Sequence, residues 1–158
     1  MESQGERTIP LALVVDDDGF VRMVVREALE LSGLEVCEAE SGEQALELFA
    51  ATSPDIVVLD VMMPGLDGFA TCAKLRGSAG GSRVPILIMT GLDDVESISR
   101  AYEQGATDFI AKPLNPMILN HRVRYMLRGS HTVDALLRSE ASLGLAQRIA
   151  KIGNWEWR

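Results

Sequence analysis

Three short runs of the chain are apolar almost from end to end: LALVV (11–15), DIVVLD (55–60) and VPILIMT (84–90). A strand with one face in water alternates apolar and polar residues, whereas a run apolar throughout needs cover on both faces. Between these runs lie stretches with helical spacing. Val21, Val24, Val25, Ala28, Leu29 and Leu31 share one side of 20–33, which Gly33 ends. Ser41 caps a second helix over 41–52, with Ala45, Leu46, Leu48 and Phe49 on one side. Helices three and four are read over 67–77 and 93–106, the latter opening on an Asp cap and stopping at Gly105. A fifth covers 115–129, with Asn115 as its cap and Pro116 at its first position. The shorter or more polar runs LEVCEA (34–39) and TDFIAKP (107–113) fit edge strands. Strands that alternate with helices require parallel pairing and right-handed crossovers. The expectation is an α/β, doubly wound, five-stranded parallel sheet in the flavodoxin-like order 2-1-3-4-5, with five helices and a C-terminal helical extension.

In such a sheet ligands bind beyond the carboxyl ends of the strands, where the strand order switches. Strand one delivers Asp16, Asp17 and Asp18 there, strand three Asp60, strand four Thr90, and strand five Lys112 followed by Pro113. Each has an ordinary reading alone. Asp18, just ahead of a helix, is better placed as its N-cap than as a ligand. Asp16 and Asp17 could be a solvated strand end, Asp60 a turn cap and Lys112 a surface lysine. Together they put a carboxylate cluster, a hydroxyl and an amine on one rim. Hard oxygen donors without His or Cys suit Mg²⁺, which takes one or two carboxylates plus a phosphate. A carboxylate there can act as a nucleophile and become an acyl phosphate, with metal, hydroxyl and lysine stabilising the transferred oxygens. No GxxxxGK[ST] loop supports nucleotide binding.

Charge and composition narrow the options. The net charge of −8 argues against a nucleic-acid-binding face. Residues 1–120 carry 20 acidic and 8 basic side chains and residues 121–158 carry 3 and 7, which suggests a boundary. Cys37 and Cys72 lack metal-like spacing and read as inert thiols. No apolar run spans a bilayer and the N-terminus does not resemble a signal peptide, so a cytoplasmic, non-membrane protein is expected.

LVVDDDGFVR, DIVVLDVMMPGLDGF, PILIMTG and GATDFIAKPLN resemble the receiver domain of bacterial two-component response regulators, over roughly residues 10–128. The resemblance implies that Asp60 accepts a phosphoryl group from the phosphohistidine of a sensor histidine kinase or phosphotransfer protein. Asp17 would ligate Mg²⁺ directly, Asp16 would assist, and Asp60 and the Met62 backbone carbonyl would complete the protein ligands. Lys112 would pair with Asp60 or with the phosphoryl group, aimed by a cis bond before Pro113. Thr90 would swing towards the phosphoryl oxygen and Phe109 would turn inward behind it. With Phe rather than Tyr at 109, the switch reports by packing. With Met at 62, no polar side chain meets the attacking water. Pro64, Gly65 and Asp67-Gly68 shape the loop after Asp60.

Residues 1–9 are expected to be a disordered N-terminus. Val133, Leu136, Glu140, Leu143, Gln147 and Ala150 form a heptad-like seam in a helical linker over 129–152. LAQRIAKIGNWEWR resembles the opening of a PAS domain, its truncated start lying at 153–158. The parent could carry a histidine kinase or a cyclic-dinucleotide enzyme downstream. A homodimer through helices four and five, or through the linker helix, stays open. Two other readings fit the sequence less well. A phosphatase would place its nucleophile at the end of strand one. A flavin- or nucleotide-binding module would place a Gly/Ser/Thr-rich loop where the three aspartates stand.

Overall fold

The computed structural model describes residues 8–91 and 95–143. The elements follow in strict alternation: β1 (Leu11–Val15), α1 (Gly19–Leu31), β2 (Glu35–Ala39), α2 (Gly42–Thr52), β3 (Ile56–Asp60), α3 (Gly68–Arg76), β4 (Ile86–Thr90), α4 (Val95–Glu103), β5 (Asp108–Ala111) and α5 (Pro116–Leu143). All pairings are parallel, in the order β2-β1-β3-β4-β5. The three apolar runs occupy the three central positions, and the two more polar ones the edges.

The sheet separates two apolar cores, because successive side chains of a strand point to opposite faces. Ala12, Val14, Ile56, Val58, Leu87 and Met89 face one side, covered by α1 and α5 through Val25, Leu29, Leu119 and Val123. Leu13, Val15, Val57, Leu59, Ile86 and Ile88 face the other, covered through Ala45, Phe49, Phe69, Cys72, Leu75 and Ala101. Every residue of β3 and of β4 is buried.

The helix starts follow their caps. Asp18 accepts from the Phe20 amide at 2.9 Å, so this aspartate is a cap, as expected. Ser41 Oγ accepts from the Gln44 amide at 3.1 Å while Gln44 Oε1 accepts from the Glu40 amide at 2.8 Å, a reciprocal pair of the capping-box kind. Asp67 accepts from the Ala70 amide, and Asn115 from the Met117 amide, both at 2.9 Å. The Asp cap expected for α4 and the N-terminal residues 1–7 lie outside the described residues.

One expectation is corrected. The helix expected to end at Gly129 continues as a single α5 to Leu143, joined without a break to the first part of the expected linker. An exposed glycine costs a helix only about 1 kcal/mol, too little to stop it. The rest of the linker and the PAS-like stretch at 153–158 lie outside the described residues.

Gly68 shows how tightly the loop after β3 is drawn in. Its amide donates to the Val61 carbonyl at 3.0 Å. A Cβ at this position would overlap the Asp60 carbonyl oxygen and the Val61 Cα, both backbone atoms with no freedom to yield. Gly68→Ala is therefore expected to destabilise the fold by about 1–3 kcal/mol, the usual cost of overpacking. A lowered urea midpoint with an unchanged slope would show it, and a wild-type midpoint would contradict it.

Candidate functional site

The carboxyl ends of β1, β3 and β4, with the residue just after β5, converge at one edge of the sheet. Asp16 follows β1 and is fully buried, Asp60 ends β3 at 3% exposure, and Asp17 between them is exposed. Their carboxylate oxygens lie within 4.8 Å of one another. Lys112 reaches in from beyond β5. Its Nζ donates to Asp60 Oδ1 at 2.9 Å and to Asp16 Oδ2 at 3.1 Å. The Lys112–Pro113 peptide is cis. The Lys112 amide donates to the Thr90 carbonyl at 2.8 Å, which fixes the lysine backbone to the end of β4.

Asp16 is held at every polar atom. Its amide donates to the Ala39 carbonyl at 3.2 Å, and its carbonyl accepts from Arg22 Nη1 at 2.6 Å. Oδ1 accepts from the Asp18 amide at 2.9 Å, and Oδ2 accepts from Lys112. This aspartate is a built part of the interior rather than a solvated strand end.

Burial pushes the Asp60 carboxyl above the ordinary carboxylate range. The hydrogen bond from Lys112 opposes that shift, the Asp16 charge adds to it, and a backbone hydrogen bond from Met62 opposes it in turn. For Lys112, burial works to lower the pKa. The hydrogen bonds to Asp60 and Asp16 outweigh it and hold the ammonium above its usual value. Three carboxylates, two of them buried, stand against one ammonium, so the cluster carries an excess of negative charge. The donor set is hard oxygen, with no His or Cys, and matches a small divalent cation in both charge and chemistry. Asp16, Asp17 and Asp60 fit that role.

Thr90 is buried at the end of β4. The register pairs Thr90 with Ala111 and Ile88 with Phe109, which puts Thr90 and Phe109 on the same face of neighbouring strands, one step apart. Phe109 is half-buried, and its ring meets the Tyr102 ring of α4 edge-on, with centroids 6.2 Å apart and planes at 85°. Met62, two residues after Asp60, is 62% exposed. Neither Cys37 nor Cys72 forms a disulfide; Cys72 is fully buried, and burial raises its pKa, in keeping with an inert role.

The structure thus brings Asp16, Asp17, Asp60, Thr90 and Lys112 to one rim, as expected, and sets Asp18 aside as a cap. Sequence reasoning missed the grip of Arg22 on the Asp16 carbonyl and the contact of Tyr102 with Phe109. The first could have been sought in the only basic residue of the first turn of α1. The second depends on where α4 lies across the sheet, which no local pattern fixes.

The response regulator receiver domain family matches residues 12–124. The chain is 42% identical over 116 residues to the probable transcriptional regulator ycf27 of Porphyridium aerugineum, covering 73% of this chain and 47% of that protein. It is also 42% identical over 123 residues to the response regulator MprA of Mycobacterium tuberculosis, covering 78% and 53% respectively. It therefore spans about half the length of these curated relatives. The solved structure of the chemotaxis protein CheY4 of Vibrio cholerae superposes with a TM-score of 0.73 at 29% identity, over 75% of this chain and 99% of that one. Fold, rim chemistry and kinship agree, and the chain belongs to the response regulator receiver domain family of two-component signalling.

Proposed function

We propose that this chain is a phosphoacceptor switch in which Asp60 takes a phosphoryl group from the phosphohistidine of a sensor histidine kinase or phosphotransfer protein. The observation that carries the reading is the Lys112 ammonium shared between two buried carboxylates, with a third carboxylate beside them. An Asp60 oxygen attacks phosphorus, the phosphorus–nitrogen bond breaks, and the imidazole leaves with its electron pair. Mg²⁺, held by Asp17, Asp60 and the Met62 carbonyl with Asp16 assisting, would supply charge neutralisation for the incoming oxygens. Lys112 then turns from the Asp60 carboxylate to a phosphoryl oxygen, its ammonium already within reach. Thr90 donates its hydroxyl to another phosphoryl oxygen, and Phe109 follows it inward along the shared sheet face. The added charge biases a two-state element, for which α4 and its flanking loops are the candidate.

We place the receiver unit at 10–128 and assign 129–152 to a helical linker, of which α5 already supports the first part. Its output we place from the PAS-like stretch at 153 onward, with a kinase and a cyclic-dinucleotide enzyme both open. The ycf27 relative, named a probable transcriptional regulator, is about twice as long as the stretch shared here. The expectation of no nucleic-acid partner is accordingly confined to this acidic receiver. Self-association through α4 and α5, or through the linker, remains an open route for the signal. No helix among the described residues is long and apolar enough to cross a membrane, which suits a cytoplasmic setting.

Incubation with acetyl phosphate and Mg²⁺ should add one hydroxylamine-labile phosphoryl group per chain, not formed when EDTA is present from the start and absent in Asp60→Asn. Intact-mass spectrometry reads it directly, and an unmodified wild-type chain would sink the reading. Met62→Asn should shorten the lifetime of the phosphorylated state severalfold, because an amide there can orient the attacking water and a thioether cannot. An unchanged or longer lifetime would contradict that role.

The raised pKa of Asp60 also predicts a pH effect on the metal-free fold. The native state holds the Asp60 proton more tightly than the unfolded chain, so this group's contribution falls as pH rises from the unfolded carboxylate value of about 4 through the raised native one. Asp60→Asn removes the buried charge. It should melt above the wild type at pH 7 in EDTA, with the gap closing towards pH 4 and narrowing when Mg²⁺ is added. Thermal melts at the two pH values test this, and a gap that widens on acidification would refute it.

A further inference from the structure

Arg22 stands outside the acidic rim, on the first turn of α1, yet it touches the backbone of that rim. Its Nη1 donates to the Asp16 carbonyl at 2.6 Å, and its Nε donates to Glu38 Oε1 on the edge strand β2 at 2.9 Å. The side chain is only 18% exposed. Its own amide donates to the Asp18 carbonyl at 3.1 Å. The three aspartates are therefore spanned by one residue: the guanidinium holds the peptide leaving Asp16, and the backbone holds the carbonyl of Asp18. Glu38 is fixed in turn by Arg26, which sits one helical turn further along α1 and also donates to it.

We propose that Arg22 is a positioning residue for the divalent-cation site. The carbonyl it grips belongs to the peptide that joins Asp16 to Asp17, and the plane of that peptide sets where the Asp17 side chain departs. Asp16 is otherwise fully held, so the remaining freedom of the rim lies in Asp17, which is exposed. A planar, rigid donor fork anchored at its second nitrogen by a carboxylate removes that freedom. The Glu38–Arg22–Asp16 relay is thus an outer support of the kind that orients metal ligands. Without it, the carbonyl of a fully buried residue loses a charge-assisted hydrogen bond. The charge of Arg22 on its own would act in the opposite sense, repelling a cation, and this makes the two roles separable. The inference rests on the Mg²⁺ reading given above.

The test uses the ¹⁵N-labelled full chain, titrated with magnesium chloride and followed through its amide resonances. In the metal-free protein, Arg22→Gln should shift the Asp17 amide, which belongs to the gripped peptide. It should weaken magnesium binding about tenfold. Arg22→Lys keeps the charge but cannot serve both partners with one fork. It should give a smaller loss in the same direction, and it stands in if the Gln variant does not fold. Arg26→Gln removes the other partner of Glu38 without touching Asp16, and should leave both readouts at the wild-type level. Unchanged or tighter magnesium binding in a folded Arg22 variant overturns the proposal, as does a loss in Arg26→Gln equal to that in Arg22→Gln. A wild-type chain with no saturable response to magnesium overturns the metal reading, and this inference with it.

Discussion

One ammonium group shared by two buried carboxylates holds the working edge of this protein together. Lys112 lies 2.9 Å from Asp60 and 3.1 Å from Asp16, and both aspartates are almost wholly withdrawn from water. Burying like charges side by side is unfavourable unless a counter-charge sits among them. One lysine offsets only part of that repulsion, and the remaining imbalance is borne by Asp60, whose pKa is raised by its burial. The edge is poised for additional positive charge, and it would lose its internal partner if the lysine were drawn away. Both properties are useful in a site where a cation arrives and an oxygen nucleophile must be freed.

That arrangement cannot be assembled locally. Lys112 is 96 residues from Asp16 and 52 from Asp60. They meet because β1, β3, β4 and β5 run in the same direction and deliver their carboxyl ends to one edge. The lysine backbone is pinned to Thr90 by a 2.8 Å hydrogen bond across the β4–β5 pair, and the aspartates sit on the adjacent pair β1–β3. The site and the sheet are therefore one cooperative object. A methyl group at Gly68, which would press on the Asp60 carbonyl, would act on stability and on the placement of Asp60 together.

What the sequence disclosed and what it concealed divide along the range of the interactions. The central strands are legible because two-sided burial leaves no room for polar residues in LALVV, IVVL and ILIM. The rim residues are legible because a parallel sheet forces strand ends together, so residues after successive apolar runs must be neighbours. Ser41, Asp67 and Asn115 disclose the helix starts by local capping. The continuation of α5 through Gly129 is concealed because glycine in an exposed helix is a small cost that neighbouring turns override. The grip of Arg22 on Asp16 is concealed because a side chain's choice of partner depends on where Glu38 of β2 stands beside it. Nothing in the spacing of Asp16, Arg22 and Glu38 dictates that they meet.

The aromatic pair at the α4–β5 contact bears on how a charge change at Asp60 could be felt outside. Phe109 has no hydroxyl, so its state can be communicated only through packing, and the ring it packs against is Tyr102. The Tyr102 hydroxyl stands 3.4 Å from Asp108, a long and weak contact. Arg122 of α5 instead holds Asp108 at 3.1 Å and the Phe109 carbonyl at 2.7 Å. The backbone of β5 is thus fixed firmly to α5, while its side-chain link to α4 is soft. In the proposed switch, an inward turn of Phe109 would withdraw the edge contact from Tyr102 and leave the β5–α5 grip intact. In that proposal the α4 contact is the one disturbed and the α5 contact the one spared, and the asymmetry of these two contacts of β5 would send the change towards α4.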